Sequence, residues 1–134
     1  MKVRFSVLVA AYNAERFICR TIDSILSQTF TDYEVVVVDD GSTDQTAELL
    51  RSYGTRIKVF RQANQGAEAA RNKAASLARG EYLAMLDHDD LFLPCALATY
   101  DLIIRNFDSP PLIFGRMIEF RDGQPKRGSI SGTR

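Results

Sequence analysis

The stretch that decides the fold is YEVVVVDDGS, residues 33–42, in which four consecutive valines lead directly into two aspartates. A short continuous run of β-branched residues is typical of a strand buried on both faces of a parallel sheet. FSVLVAA at residues 5–11 has the same character, and RIKVFRQ at 56–62 and EYLAMLD at 81–87 are weaker versions of it. These four runs predict a buried, mainly parallel sheet.

Segments of helical length separate the predicted strands. The second helical segment opens with Ser42 and, three residues later, Gln45, which is the spacing of a capping box. The third segment ends before Gly80, which is predicted to be a C′ glycine. Residues 124–134 are polar and predict a loop or a frayed end. The predicted helices cover residues 14–28, 43–53, 66–78 and 94–106, and a fifth strand covers 112–120 before a turn at Asp122-Gly123.

This alternation predicts one fold class, a doubly wound α/β sheet with helices on both faces. A chain of 134 residues fits a single domain, which we expect to span residues 1–134. Seventeen basic side chains balance 17 acidic ones. A formal net charge of zero argues against nucleic acid as a partner, because phosphate neutralisation needs a basic surface.

Cysteine content and hydropathy indicate the compartment. Cys19 and Cys95 have no metal-ligand spacing, so two free thiols in a reducing environment are favoured over a disulfide. No apolar run approaches the ~18 residues that suggest a membrane helix. We therefore expect a cytoplasmic protein, with peripheral contact at the inner face of a membrane left open.

Polar side chains follow three of the predicted strands. Tyr12 follows the first, Asp39 and Asp40 follow the second, and the sequence DHDD at residues 87–90 follows the fourth. Open α/β sheets bind ligands outside the carboxyl ends of their strands. A solvated loop explains any one of these segments but explains all three poorly. The pattern predicts a binding site at this edge of the sheet.

Arg71 is an independent indication of an anion at this edge. It lies on the alanine-rich face of the third helix, which we expect to pack closely against the sheet. A guanidinium group beside a packed face is costly unless an anion meets it. We expect Arg71 to pair with the acidic edge or with a ligand anion. The alternative is a long side chain that reaches solvent.

The residue types narrow the ligand class. No G-x-G-x-x-G follows the first strand, so the dinucleotide-binding fingerprint is absent. An acidic edge can hold a diphosphate only with a cation between them, and carboxylate oxygens suit Mg²⁺ or Mn²⁺. The DHD sequence is therefore predicted to bind a diphosphate through a metal ion. His88 is expected to act as a spacer or through a hydrogen bond, with a role as a metal ligand as the alternative. Asp90 is expected to cap the helical turn that follows.

Four motifs, in this order, carry a resemblance to a known family. SVLVAAYN, SILSQTFTDYEVVVVDDGSTDQT, NQGAEAARNKA and GEYLAMLDHDDLFLP resemble the amino-terminal half of the family-two inverting glycosyltransferases, which have the GT-A fold. The resemblance implies a nucleotide-sugar donor, most often a UDP-sugar, together with Mn²⁺ or Mg²⁺. It also implies a carbohydrate or lipid-linked acceptor and a role in polysaccharide biosynthesis.

The resemblance also implies donor-site roles for individual residues. Tyr12 would stack near the uracil, Asp40 would hydrogen-bond it, and Asp39 would be an adjacent partner. Arg71 would contact the base or the diphosphate. Asp87 would contact the ribose, with His88 beside it, and Asp89 would bind the metal.

The catalytic base in this family is an Asp or Glu well beyond the D-x-D element. Glu119 and Asp122 come too early for that role, so we expect the base beyond Arg134 and exposed apolar surface where further elements would pack. Two alternatives remain. One is a nucleotide-binding fragment that transfers nothing. The other is a receiver-type signalling domain, whose acidic pair after the first strand and late lysine are not evident in the sequence.

Overall fold

The computed structural model describes residues 2–113, 117–121 and 124–131, the last two segments through their backbone only. The chain divides into two compact units, Met1–Asp101 and Leu102–Arg134, and the division falls within α4 (Ala96–Asn106). The elements before it are β1 (Phe5–Ala11), α1 (Ile18–Leu26), β2 (Tyr33–Asp39), α2 (Thr46–Arg51), a 3₁₀ turn (Gly54–Arg56), β3 (Lys58–Arg61), α3 (Ala67–Leu77) and β4 (Tyr82–Met85).

The first unit contains a four-stranded parallel sheet in the order β3-β2-β1-β4. β1 and β2 pair along their full length, from Phe5 opposite Tyr33 to Ala11 opposite Asp39. The order of the strands reverses direction at β1, because β2 and β3 lie on one side of it and β4 on the other. Sheets of this kind bind ligands at such a reversal. The predicted α/β fold class is confirmed.

Both faces of the two central strands are buried, which explains the run of four valines. On one face, Leu8, Val36 and Val38 pack with two alanines of α3, Ala70 and Ala74. The small alanine side chains let the helix lie close to the sheet. Side chains alternate along a strand, so the opposite face carries the intervening residues. These are also almost fully buried: Val7, Val9, Val35 and Val37.

A buried carboxylate joins the amino-terminal ends of three strands. Glu34 Oε1 accepts hydrogen bonds from Ser6 Oγ at 2.7 Å and from the backbone N–H of Arg79 at 2.7 Å. Lys58 Nζ lies 2.6 Å from Glu34 Oε2. Burial alone would raise the pKa of Glu34, but the hydrogen bonds from Lys58, Ser6 and Arg79 outweigh it and lower the pKa to about 2. Glu34 is therefore held as a carboxylate.

Gly80 is required by a close backbone approach, and its predicted role as a C′ glycine was wrong. α3 ends at Leu77, and the next residue, Ala78, is already extended, with φ −71° and ψ 144°. A Cβ atom at Gly80 would lie 2.4 Å from the backbone N of Ser6 and 2.6 Å from the carbonyl carbon of Phe5. The N–H of Gly80 also donates to Ser6 Oγ at 2.8 Å. The chain enters β4 at a point where no side chain fits.

The predicted capping box was also wrong, because long-range contacts use its residues. Ser42 Oγ accepts the backbone N–H of Asn13 at 3.0 Å instead of capping α2. The side chain of Gln45 makes no capping hydrogen bond. Asp44 Oδ1 accepts the N–H of Thr46 at 2.9 Å and takes over that role.

The carboxyl-terminal segment differs from the prediction in two ways. The fifth strand, β5 (Met117–Arg121), does not join the four-stranded sheet within the described residues. It pairs antiparallel with β6 (Gln124–Ser131), which covers most of the polar stretch predicted as a loop. Backbone pairing does not require the apolar periodicity on which that prediction depended. The predicted turn at Asp122-Gly123 lies outside the described residues.

Candidate functional site

The segments after β1, β2 and β4 start side by side at one edge of the sheet. The N–H of Asp40 donates to Ala11 O at 2.8 Å, and the N–H of Leu86 donates to Leu8 O at 3.0 Å. His88 Nδ1 lies 3.2 Å from Ala10 O, so the DHDD segment also contacts the end of β1. The structure therefore brings the three polar segments to one edge, as their positions in the sequence predicted.

Asp40 is almost fully buried, and its carboxylate accepts three hydrogen bonds. Oδ1 accepts Gln62 Nε2 at 2.8 Å and the backbone N–H of Gln65 at 2.9 Å, and Oδ2 accepts the N–H of Gly66 at 2.8 Å. Burial would raise the pKa of Asp40, but these hydrogen bonds outweigh it and keep the pKa below its usual value. Asp40 is a fixed, ionised acceptor beside the first turn of α3, where a negative charge is favourable.

Asp39 is fully buried and holds the loop that carries Asp40. Its Oδ1 accepts the N–H of Ser42 at 3.0 Å, and its Oδ2 lies 3.6 Å from Arg61 Nε. Arg61 also donates from Nη2 to Ser42 O at 2.7 Å. Oδ2 itself has no hydrogen bond among the described residues. These contacts give Asp39 a clear structural role in shaping the loop from 39 to 42.

Tyr12 stands at the end of β1 with 43% of its surface exposed, so its ring is accessible to a ligand. The next residue, Asn13, adopts a positive φ of 46°, a conformation in which Asn is enriched. Its Oδ1 accepts the N–H of Thr43 at 2.8 Å. Together with the bond from Asn13 N–H to Ser42, this fixes the end of β1 against the loop that follows β2.

Arg71 reaches from α3 to the acidic segment, as predicted. Its Nη2 lies 2.7 Å from Asp87 Oδ1, and both side chains are partly exposed. A partly exposed ion pair contributes little to stability, typically about 0–1 kcal/mol. The Arg71–Asp87 pair therefore contributes little to the stability of the fold.

His88 connects the acidic segment to the sheet. Its Nδ1 faces Ala10 O, so Nδ1 carries the proton in that hydrogen bond. The backbone carbonyl of His88 accepts Thr21 Oγ1 from α1 at 2.8 Å. Both contacts fit the predicted role of a spacer that orients Asp87 and Asp89 on either side.

Asp89 and Asp90 differ in environment. Asp89 is exposed, and within residues 2–113 its carboxylate makes no hydrogen bond or ion pair. The pKa of Asp90 is raised, first by burial and then by the charges of Asp89 and Asp87. The predicted cap by Asp90 is not observed, since Ser24 Oγ accepts the N–H of Phe92.

The acidic segment could supply a divalent cation with one carboxylate but not with a full set of ligands. Within the described part of the chain, no three acidic, His or Cys side chains converge on one point. Mg²⁺ commonly keeps several waters and binds through one or two carboxylates together with substrate phosphates. The uncommitted carboxylate of Asp89 fits such an ion, which would take its remaining ligands from a diphosphate and from water.

Sequence reasoning missed Gln62 and Arg61. Each acts through a partner that is 19–22 residues away in the chain, and no local pattern indicates such a partner.

The model of the family described as Glycosyl transferase family 2 matches residues 6–113. The chain belongs to this family. An uncharacterised glycosyltransferase of Rickettsia typhi is 35% identical over 108 residues, which are 81% of this chain and 34% of that protein.

Two solved structures of similar proteins contain ligands. Staphylococcus aureus TarS 1–349 in complex with UDP-GlcNAc has a TM-score of 0.70 and 34% identity, over 76% of this chain and 31% of that one. The mannosyltransferase PcManGT from Pyrobaculum calidifontis, in complex with GDP-Man and Mn²⁺, has a TM-score of 0.68 and 28% identity, over 79% and 33%. The chain therefore spans about a third of the length of these similar proteins.

The predicted membership and GT-A fold are thus confirmed. Among the described residues, no helix has the length and apolar character needed to cross a bilayer.

Proposed function

We propose that the chain is the donor-binding part of a glycosyltransferase that moves a sugar from a UDP-sugar to a hydroxyl group of a carbohydrate or lipid-linked acceptor, with inversion. One observation carries the proposal: the buried, ionised Asp40 and the Arg71–Asp87 pair lie at the same edge of the sheet. The complex of the similar TarS protein with UDP-GlcNAc supports this choice of donor class.

The base-binding end is assigned to Asp40 and Tyr12. An ionised carboxylate only accepts hydrogen bonds, so Asp40 suits the imide N–H of uracil. The exposed ring of Tyr12 can stack on the base. Asp39 supports the base-binding end by holding the loop from 39 to 42 in place. Direct contact between Asp39 and the base is the less favoured alternative.

The ribose and diphosphate end is assigned to the other edge residues. The guanidinium of Arg71 suits phosphate oxygens, and Asp87 can accept a ribose hydroxyl. His88 keeps Asp87 and Asp89 apart. A divalent cation, Mn²⁺ or Mg²⁺, would neutralise charge on the departing diphosphate, and Asp89 would be its ligand from the protein.

Transfer with inversion also needs a base that takes the proton from the acceptor hydroxyl. We assign none of the described carboxylates to that role. The side chain of Glu119 and the whole of Asp122 lie outside the described parts of the chain. We therefore propose only donor binding for the described residues, and a transfer assay on the 134-residue chain tests whether the chain also contains the base.

Calorimetry tests the proposal directly. UDP should bind the chain in the presence of Mn²⁺, and binding should weaken strongly when a chelator removes the metal. A related nucleotide-binding module that lacks catalysis would give the same binding, so a sugar-transfer assay separates the two. If UDP failed to bind with either Mn²⁺ or Mg²⁺, the donor-site proposal would be wrong.

We also propose that copies of the chain associate. β4 lies at an edge of the four-stranded sheet, and it exposes 48% of Leu83 and 59% of Met85. Exposed apolar edge strands favour pairing with another chain. Sedimentation should show a dimer that Met85→Lys weakens. A clean monomer at high concentration would contradict this.

A further inference from the structure

We propose that Gln62 determines base selectivity at the donor site, favouring uracil over guanine by occupying one acceptor position of Asp40. The inference rests on the proposed function, because it takes Asp40 as the group that recognises the base. Gln62 would act through a single side-chain hydrogen bond, from its Nε2 to Asp40 Oδ1.

The acceptor positions of Asp40 can be counted. A carboxylate offers about four lone-pair positions, two on each oxygen. On Asp40 Oδ1 both are used, by Gln62 Nε2 at 2.8 Å and the N–H of Gln65 at 2.9 Å. On Oδ2 one is used, by the N–H of Gly66 at 2.8 Å. One position therefore remains, on Oδ2.

This remaining position fits a base with one donor. Uracil presents a single imide N–H, which one lone pair on Oδ2 satisfies. Guanine presents two adjacent donors, its ring N–H and its amino group, which together require one position on each oxygen. Because Gln62 fills Oδ1, guanine would leave one donor unsatisfied. An unsatisfied buried polar group weakens binding by about 5- to 150-fold.

The surrounding backbone keeps this arrangement rigid. Gly41 has a φ of 76°, and a Cβ atom there would lie 2.9 Å from the backbone N of Asn64. The segment from Gln62 to Gly66 therefore packs directly on the Asp40–Gly41 loop. Two of the three donors to Asp40 are backbone groups, so Gln62 supplies the one donor that a side-chain substitution can remove.

Gln65 offers a matched control. It is the same residue type in the same segment, but it contacts Asp40 through its backbone N–H. Replacing its side chain should leave the acceptor positions of Asp40 unchanged. The informative variants are Gln62→Ala and Gln62→Met, the second of which keeps the length of the side chain and removes the donor.

The experiment measures dissociation constants for UDP and GDP with Mn²⁺ by calorimetry. The parent should prefer UDP at least tenfold. Gln62→Ala and Gln62→Met should reduce that preference about tenfold, mainly by strengthening GDP binding, and Gln65→Ala should keep it within about twofold. A purely structural role for Gln62 would weaken both nucleotides together and leave their ratio unchanged.

The outcomes separate the two proposals. If the parent binds UDP but the Gln62 variants keep its preference, the selectivity role of Gln62 is wrong and the donor site stands. If the parent prefers GDP, the selectivity role is also wrong. If the parent binds neither nucleotide, the proposed function fails and this inference fails with it.

Discussion

Arg71 Nη2 lies 2.7 Å from Asp87 Oδ1, which connects α3 to the segment after β4 at the edge of the sheet that carries the candidate site. We predict that Arg71→Ala changes the free energy of unfolding by less than about 1 kcal/mol, because both side chains are partly exposed. The same substitution should weaken UDP binding about tenfold or more, since a hydrogen bond to a charged group is lost. Thermal unfolding and calorimetry measure the two effects.

Lys73→Ala is the control for Arg71, because Lys73 is an exposed cation on the same helix. It should leave UDP binding unchanged. Equal losses in the two variants would mean that Arg71 contributes only general positive charge.

Asp89→Asn keeps the shape of the side chain and removes its charge. If Asp89 is the metal ligand, the variant should bind UDP equally with Mn²⁺ and with a chelator, while its thermal unfolding stays close to that of the parent. Asp32→Asn, at an exposed site away from the acidic segment, should keep the full metal dependence. An Asp89→Asn protein that still responds to Mn²⁺ would show that another group holds the ion.

Glu34 should make the fold acid-sensitive. Its pKa is lowered from 4.5 to about 2 in the folded chain. The stabilisation is therefore fully present above pH 4.5 and is lost as pH falls towards 2, and it amounts to about 3 kcal/mol. Denaturant unfolding between pH 7 and pH 2 measures it.

Substitution separates this effect from general acid denaturation. Glu34→Gln should be less stable than the parent at pH 7, and its stability should fall less steeply between pH 4.5 and pH 2. Glu68→Gln, at an exposed position on α3, should follow the parent. A parallel pH dependence for parent and Glu34→Gln would contradict the assignment.

Gly80→Ala should destabilise the first unit by about 3 kcal/mol, since its Cβ would overlap the backbone of Phe5 and Ser6, which cannot move aside cheaply. Gly54→Ala is the comparison, because a Cβ there meets nothing within 4 Å and only the positive φ of 58° opposes it. It should cost about 1–2 kcal/mol. Equal losses would mean that the segment before β4 shifts to make room.

The sequence predicted the central strands most accurately, and the reason is physical. β1 and β2 begin and end where predicted, at Phe5–Ala11 and Tyr33–Asp39, because burial on both faces requires an unbroken apolar run. Helix α1 begins at Ile18, later than the predicted 14, since the carbonyl of Ala14 accepts the N–H groups of Phe17 and Ile18 in a preceding turn.

The parts of the site that were not predicted depend on contacts between distant segments. Asp40 and Arg71 could be identified from their positions at the end of a strand and on a helix face. Two hydrogen bonds could not be predicted, one from the Asn13 N–H to Ser42 and one from Gln62 to Asp40. Each joins residues that are 22–29 positions apart. Local patterns carry no information about which distant donor a hydroxyl or carboxylate accepts.

The two ends of the parallel sheet have different roles. Glu34 and its partners Ser6, Lys58 and Arg79 secure the amino-terminal ends of the strands, whereas the carboxylates of the candidate site lie past the opposite ends. Substitutions that accumulate in the loops beyond β1, β2 and β4 therefore leave the Glu34 network untouched. Such a division lets one scaffold acquire new donor preferences during evolution, or under directed selection, without first gaining extra stability.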